Sequence, residues 1–304
     1  DYSTAVNKFT SSLQINRNDP EAWIYLENAA AAAISNTIKI GVSVPIGGNL
    51  NVAREILRGV AQAQYEINHS GGIGGKLIQV EIANDDNDPA VAKQIATEFV
   101  KDSSILAVVG HNSTEASVAA ARVYQQAGLV MISPTTVGKN LSGIGSYIFR
   151  TTPNTRATAD VLARYAVNSA RKTKIAICAA TDAQASQSFH EEFRWALFDN
   201  GGREIDINCN FSDPKFNPND IPSQAVSAGA DALLLAPSVY NINQAIDVVQ
   251  ANKGRLAVLG NQTMYVFETL QQGQADVNGM VLSVAWHPSA IAGSSFPSNA
   301  TRFW

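Results

Sequence analysis

The chain has 304 residues, of which 45% are hydrophobic and 16% are charged, and its formal net charge is −4. This length is sufficient for two domains with a sizeable core. The slight excess of acidic residues argues against broad nucleic-acid binding, which requires clustered lysine and arginine. No apolar run in the sequence approaches the roughly 18–20 residues of a transmembrane helix.

Residues 1–37 predict a helical hairpin. Apolar residues from Tyr2 to Leu13 recur at three- and four-residue spacing, which is typical of one helical face. Asp19-Pro20 breaks this pattern, and a second helix is expected over residues 21 to about 34. The arrangement resembles one tetratricopeptide repeat, which cannot bury its own apolar face. We expect the hairpin to lie outside the main domain; an unrelated hairpin packed on that domain stays open as the alternative.

From residue 38 onward, apolar β-rich runs alternate with amphipathic helices. The runs 105–109 and 232–236 show no two-residue alternation, which is typical of parallel strands buried on both faces. Alternation of strands and helices through short glycine turns predicts a doubly wound α/β fold. Strands are expected at 38–45, 77–83, 105–110, 129–133, 147–151, 173–179, 204–209, 231–236, 256–260 and 279–284. Helices are expected near 51–69, 89–102, 114–127, 156–170, 185–200, 220–229, 241–252, 264–272 and 297–304.

Residues 67–89 predict the end of one helix, a strand and the start of the next helix. Gly71 and Gly72 can adopt the positive φ that a helix C-terminus needs. Gly74-Gly75 permits the reversal into the next strand. Asp88-Pro89 then places an N-cap before a proline at the first helical position.

Four further segments occur in a fixed order with this unit. They are a strand ending in the glycine loop 45–49, the strand and loop 108–114, the strand and loop 128–136, and the crossover 147–153. This ordered set resembles the leucine/isoleucine/valine-binding family of type I periplasmic solute-binding proteins. The resemblance implies two doubly wound parallel-sheet lobes that hinge around a small solute, in an extracytoplasmic (periplasmic or cell-surface) protein.

Applied to this chain, the resemblance gives the following division. Residues 1–37 form the helical hairpin, 38–152 lobe 1, 153–284 lobe 2, and 285–304 an apparently truncated return to lobe 1. In open parallel sheets, ligands bind beyond the carboxyl ends of the strands. The solute is therefore expected there, bound by hydroxyl groups and by the N-termini of helices.

The first lobe carries most of the implied ligand residues. Thr114 matches the family's ligand hydroxyl after the Gly-His strand end, and Thr135 and Thr136 match the residues after Ser-Pro. Val137 stands where a hydroxyl is usual. Helix capping by Thr114, and turn formation by the residues after the strand, are the structural alternatives.

The second lobe departs further from the family. The two aromatic positions match Ala185 and Ser238, with Tyr240 close to the latter. The acidic partner of the ligand's ammonium group matches Gln262, and Asp182 or Glu115 could replace it. Asp182 could equally cap the next helix. The full set of candidate ligand residues is Asn49, Asn112, Ser113, Thr114, Ser133, Thr135, Thr136, Asp182, Tyr240 and Gln262.

These substitutions leave the ligand open between an amino acid and a related small polar acid or amide. Two roles also stay open: a receptor serving a membrane transporter permease, or a sensor module attached to a signalling domain. No cofactor or metal is expected, because the four histidines are scattered without metal-ligand spacing. An enzyme is a remote alternative, since no G-x-S-x-G elbow is present. A repressor would need a basic helix-turn-helix, which the acidic N-terminus lacks.

The two cysteines carry little information by themselves. Cys178 lies in a continuous apolar run and Cys209 in a polar β stretch. Their spacing matches no known disulfide signature. Free structural thiols are therefore favoured, and a bridge between them stays open.

Overall fold

The computed structural model describes residues 1–34 and 36–287. Within these residues the chain forms two compact units. Unit 1 contains residues 1–136 and 140–152, and unit 2 contains residues 137–139 and 153–287. The predicted return of residues 285–304 to the first lobe, and the predicted helix 297–304, lie almost wholly outside the described residues.

Unit 1 is built around a five-stranded parallel sheet in the order β2-β1-β3-β4-β5. Helices flank it on both faces, as the alternation of the sequence predicts. Its elements are α1 Tyr2–Ile15, α2 Pro20–Ala32, β1 Thr37–Val44, α3 Leu50–His69, β2 Leu77–Asn84, α4 Pro89–Phe99, β3 Ile105–Val109, α5 Thr114–Ala127, β4 Val130–Ser133 and β5 Ile148–Arg150.

Unit 2 has a second five-stranded parallel sheet in the order β10-β9-β8-β6-β7. All five residues of β8 are buried, as expected for a strand covered on both faces. Its elements are α6 Thr155–Arg164, β6 Lys174–Ala179, α7 Gln184–Asp199, β7 Arg203–Ile205, α8 Ile221–Ser227, β8 Ala232–Ala236, α9 Ile242–Asn252, β9 Ala257–Gly260, α10 Phe267–Gly273 and β10 Val281–Leu282. The predicted fold class is confirmed.

The turns around β2 form as their residues predict. Gly71 and Gly72 have φ values of +92° and +77°, and a Cβ on Gly72 would lie 2.2 Å from the Lys76 carbonyl oxygen. The Asp88 carboxylate accepts hydrogen bonds from the N–H groups of Ala90 and Val91 and so caps α4.

The N-terminal hairpin differs from the expectation that it lies outside the main domain. Ile24 of α2 is fully buried in one cluster with Val42 of β1 and Val80 of β2. The Asn28 side chain donates to the Val80 carbonyl at 2.7 Å and accepts from the Val80 N–H at 2.8 Å. Since β2 is an edge strand, this amide occupies backbone groups that would otherwise be unpaired.

Two more side-chain amides bind backbone groups of β2. Asn68 accepts from the N–H of Ile78 at 2.7 Å, and both Asn68 and Gln64 donate to the Ile78 carbonyl. Helices α2 and α3 therefore protect the free edge of the sheet as well as one face. The hairpin is part of the packing of unit 1.

The second unit contains two departures from the sequence predictions. Strand β7 ends at Ile205 rather than continuing to Cys209. Cys178 and Cys209 form a disulfide, so the preference for free thiols is wrong. The chain after β7 returns to β6, because the Ala179 N–H donates to the Cys209 carbonyl and the Phe211 N–H donates to the Ala179 carbonyl.

Candidate functional site

The carboxyl ends of β1, β2 and β3 meet around Gly110. This residue has a φ of +140°, and a Cβ here would lie 2.5 Å from the Ser43 carbonyl oxygen. Only glycine can adopt this backbone conformation so close to β1 without strain. The close approach places the following residue, His111, against the ends of β1 and β2.

His111 and Asp85 form a fully buried pair at this edge of the sheet. The Nδ1 of His111 lies 2.6 Å from an Asp85 carboxylate oxygen, and both side chains have no solvent exposure. Ser43 donates to the same carboxylate at 2.9 Å, and the Tyr124 hydroxyl lies 3.3 Å from His111 Nε2. Burial alone would raise the pKa of Asp85, but the hydrogen bonds and charge of His111 bring it below its ordinary value.

The carbonyl oxygen of His111 is a second point of convergence. It accepts hydrogen bonds from the hydroxyls of Ser133 at 2.9 Å, Ser117 at 3.0 Å and Thr136 at 3.5 Å. The Thr136 and Ser117 hydroxyls also contact each other at 2.5 Å. Ser133 and Thr136 therefore use their hydroxyls to hold the loop after β4 against the loop after β3.

Asn87 fixes the loop that leads into α5. Its side-chain oxygen accepts from the Asn112 amide and from the Ser113 N–H, both at 3.1 Å. The Ser113 hydroxyl caps α5 by accepting from the Ala116 N–H. The Thr135 hydroxyl donates to the Asn112 carbonyl at 2.9 Å. Three more of the candidate ligand residues are thus engaged in loop structure.

Thr114 is in a different position from these neighbours. It is the first residue of α5, and its exposed fraction is 4%. Ser113 is the N-cap, so the alternative that Thr114 only caps the helix is wrong. Within the described residues its hydroxyl has no hydrogen-bond partner in unit 1 or unit 2. Of the hydroxyls in this cluster, that of Thr114 is the one left available to a ligand.

Asn49 lies at the start of α3, beyond the end of β1. Its side-chain oxygen accepts from the Val52 N–H at 3.1 Å and caps that helix. The structure therefore gives Asn49 a capping role at the same strand-end edge of unit 1.

In unit 2, Asp182 follows the end of β6. It is exposed, and the Ser212 hydroxyl donates to its carboxylate. Ala183 is the N-cap of α7, with no side-chain hydrogen bond, so Asp182 does not cap that helix. The disulfide and the Asn210 side chain, which bonds Thr181, hold the neighbouring loop beside Asp182.

Tyr240 and Gln262 follow β8 and β9 in the same unit. Tyr240 is exposed, whereas Gln262 is half-buried and its Oε1 is shielded from solvent. Asn261, one residue earlier, donates to the Pro237 carbonyl at 3.1 Å and so joins the two loops. The Oδ1 of Asn261 is buried and has no hydrogen-bond partner within the described residues.

Sequence reasoning missed several residues that position these loops. Asp85 and Asn87 lie in a polar segment, and Ser117 lies in α5, next to predicted ligand loops. A signal for the first two was available in the Asx-rich stretch 84–88, where short polar side chains favour local backbone hydrogen bonds. No comparable signal marks Ser186 of α7, which accepts from the Ala180 N–H and donates to the Ala236 carbonyl.

Among the described residues, no group of three or more His, Cys, Asp or Glu side chains could hold a metal ion. No helix of residues 1–34 or 36–287 combines the length and apolar content needed to cross a bilayer.

The sequence matches a protein family described as periplasmic binding protein over residues 37–300. The chain belongs to this family. The predicted resemblance is therefore confirmed, together with a non-enzymatic class and an extracytoplasmic location. A buried disulfide is in keeping with such a compartment. The tetratricopeptide resemblance is not confirmed, because the family match begins after the hairpin.

Two curated relatives show what this periplasmic binding protein is similar to. An amino acid binding protein of Pseudomonas aeruginosa is 32% identical over 142 residues, which are 46% of this chain and 38% of that protein. The Leu/Ile/Val-binding protein of Escherichia coli K12 is 29% identical over 147 residues, 48% of this chain and 40% of that protein. The chain spans about two fifths of the length of these relatives.

Solved structures agree on the fold. A leucine binding protein from Thermotoga maritima superposes with a TM-score of 0.72 at 17% identity, covering 84% of this chain and 71% of that one. An ABC transporter substrate-binding protein from Desulfitobacterium hafniense, in complex with Leu, gives 0.68 at 23% identity, covering 81% and 70%.

Proposed function

We propose that this chain binds an amino acid at the strand-end edges of its two units and serves as a receptor for an ABC transporter. The observation that carries the proposal is the placement of Thr114 in a chain of this family. Thr114 is mostly buried, and its hydroxyl stands at the first turn of α5, where the helix dipole favours a negatively charged group. A ligand carboxylate would accept a hydrogen bond from it.

The names of similar proteins support the ligand class. The curated relatives are amino acid and Leu/Ile/Val-binding proteins, and one structural neighbour holds Leu. We assign the carboxylate to the edge of unit 1 that carries Thr114. We assign the remaining ligand groups to the edge of unit 2 that carries Asp182, Tyr240 and Gln262.

A second candidate is a sensor module for a small acid or amide without an ammonium group. Gln262 favours it, because a buried ammonium normally needs a carboxylate or several acceptors.

Calorimetry with the wild-type chain tests both candidates. The ligands are the twenty amino acids, 4-methylpentanoate as leucine without its ammonium group, and leucinamide as leucine without its carboxylate. The proposal expects binding of at least one amino acid and about ten- to a hundredfold weaker binding by Thr114→Val, since a buried hydrogen bond to a charged group is lost. Thr97→Val, on the exposed face of α4, is the matched control. Binding of 4-methylpentanoate without any amino acid would favour the second candidate, and an unchanged affinity in Thr114→Val would refute the assigned contact.

A further inference from the structure

A groove lies where the hairpin meets unit 1, away from the strand-end residues described above. It has a volume of about 320 Å³ and is lined by α2, the end of α3 and the start of β2. Its walls are mainly apolar and come from Leu26, Ala30, Ala31, Ile34 and Leu77. This volume is within the range of small-molecule sites.

Glu27 lies among these apolar walls. Its side chain is only 7% exposed. Burial raises the pKa of Glu27, and the Asn68 hydrogen bond and the charge of His69 lower it only in part. A buried carboxylate is costly unless hydrogen bonds and an opposite charge compensate for the lost solvation.

The two oxygens of Glu27 are not equally satisfied. Oε2 accepts a hydrogen bond from the Asn68 amide at 3.2 Å. Oε1 has no hydrogen-bond donor among the described residues, and His69 Nδ1 lies 3.9 Å from it. That nitrogen is already 2.9 Å from the Tyr65 carbonyl, so its proton is directed to Tyr65. Oε1 is therefore an acceptor without a donor from the described residues, on a side chain that lines the groove.

We propose that this groove is a binding site for a small primary ammonium compound with a short apolar chain. The ammonium group would donate to Glu27 Oε1, and the chain would contact Leu26, Ala30 and Leu77. A charge-assisted hydrogen bond satisfies the buried carboxylate, and the apolar chain removes the exposed walls of the groove from water. Since α2 precedes the family match at residue 37, the site combines the hairpin with the family domain.

The site is distinct from the proposed amino-acid site and does not rest on it. Its ligand needs no carboxylate, because Glu27 lines the groove and no lysine or arginine of the described part of the chain does so. A zwitterion would bring its own carboxylate into apolar surroundings and is therefore disfavoured.

The test is an NMR titration of the full chain with isobutylamine and, in parallel, with isobutanol, which has the same hydrocarbon skeleton. We expect saturable shifts of the Asn68 side-chain amide and of the His69 ring with isobutylamine only. Glu27→Gln should weaken amine binding about tenfold or more. Glu21→Gln, the same change at the first turn of α2, should leave it unchanged.

A second variant keeps the test valid if Glu27→Gln alters packing. Ala30 is exposed and lines the groove, so Ala30→Trp should fill it and abolish the shifts while leaving Glu27 in place. Equal binding of isobutanol, unchanged amine affinity in Ala30→Trp, or shifts that do not saturate at Asn68 and His69 would each overturn the proposal.

Discussion

Asp85 and His111, 26 residues apart in sequence, form a 2.6 Å hydrogen bond with no solvent contact. The bond joins the loop after β2 to the loop after β3. Both loops lie beside the hydroxyl cluster that includes Thr114, so the pair positions the proposed ligand edge of unit 1 without contacting the ligand.

Removing one partner of this pair should destabilise the chain. Asp85→Asn leaves His111 buried beside a neutral amide in place of its charged carboxylate partner and should lower the free energy of unfolding by about 3 kcal/mol. Asp86→Asn is the matched control, because this neighbour is exposed and its positive φ of 52° suits asparagine. Urea denaturation of both variants at pH 7 measures the effect. A similar loss in the two variants would show that the pair does not contribute.

The same pair predicts an acid dependence of stability. The pKa of Asp85 is lower in the folded state than its ordinary value of 3.8, so the unfolded state takes up the proton first. The stabilisation is fully present above pH 3.8 and is lost as the pH falls through the folded-state value. Urea titrations between pH 7 and pH 2.5 should show a steeper fall for the wild type than for Asp85→Asn. Parallel curves would contradict this assignment, because other carboxylates titrate equally in both proteins.

Gln262 offers a test of the ligand's ammonium group. If it occupies the family's acidic position, Gln262→Glu should strengthen binding of zwitterionic amino acids about tenfold by supplying an ionic partner. Binding of 4-methylpentanoate should not improve, because this acid carries no ammonium. Gln272→Glu adds the same charge at an exposed site of α10 and serves as the control in calorimetry. No gain for any amino acid would mean that Gln262 does not face the ammonium.

The packing of α2 on the sheet makes the hairpin a stability element. Ile24 is fully buried, and Ile24→Ala should cost about 2–5 kcal/mol through lost burial and a residual cavity. Ile15→Ala is the matched control because Ile15 is 91% exposed, and it should change stability by less than about 0.5 kcal/mol. Urea denaturation followed by far-ultraviolet circular dichroism measures the unfolding of both variants. Equal stability of the two variants would show that the packing of α2 on the sheet does not stabilise the protein.

The disulfide should contribute measurably to unit 2. Cys178 and Cys209 are 31 residues apart, and closing a loop of this length stabilises a chain by roughly 3–4 kcal/mol in the chain-entropy model. The double variant Cys178→Ala/Cys209→Ala should lose about this amount in urea denaturation. Reductant should lower the stability of the wild type and leave that of the double variant unchanged. An unaffected wild type under full reduction would refute the contribution.

The sequence predicts the fold well because its signals are local. Gly71-Gly72 ends a helix through positive φ, and Asp88-Pro89 starts one through a cap and a fixed φ. The continuous apolar run of β8 predicts a strand with both faces covered.

The features that the sequence does not predict depend on contacts between segments that are distant along the chain. The Asn28–Val80 hydrogen bonds span 52 residues, and no periodicity in the hairpin indicates that its second helix covers a sheet edge. The Cys178–Cys209 bridge depends on a loop returning from β7 to β6, which spacing alone does not indicate. At the candidate site, residue type predicts a polar cluster but not which of its hydroxyls form internal hydrogen bonds. Whether a hydroxyl is used internally, as in Thr136, or left available, as in Thr114, depends on which carbonyl lies within reach.

The carbonyl oxygen of His111 anchors the proposed ligand edge of unit 1 through the main chain rather than through a side chain. Hydroxyls from α5, from the end of β4 and from the loop after it all donate to this one main-chain atom, which every amino acid at position 111 would supply. The path of the loops is thereby separated from Thr114, the side chain proposed to contact the ligand. A change at Thr114 can retune which solute is accepted while the anchoring atom and its three hydroxyls stay in place, so specificity can diverge on an unchanged scaffold.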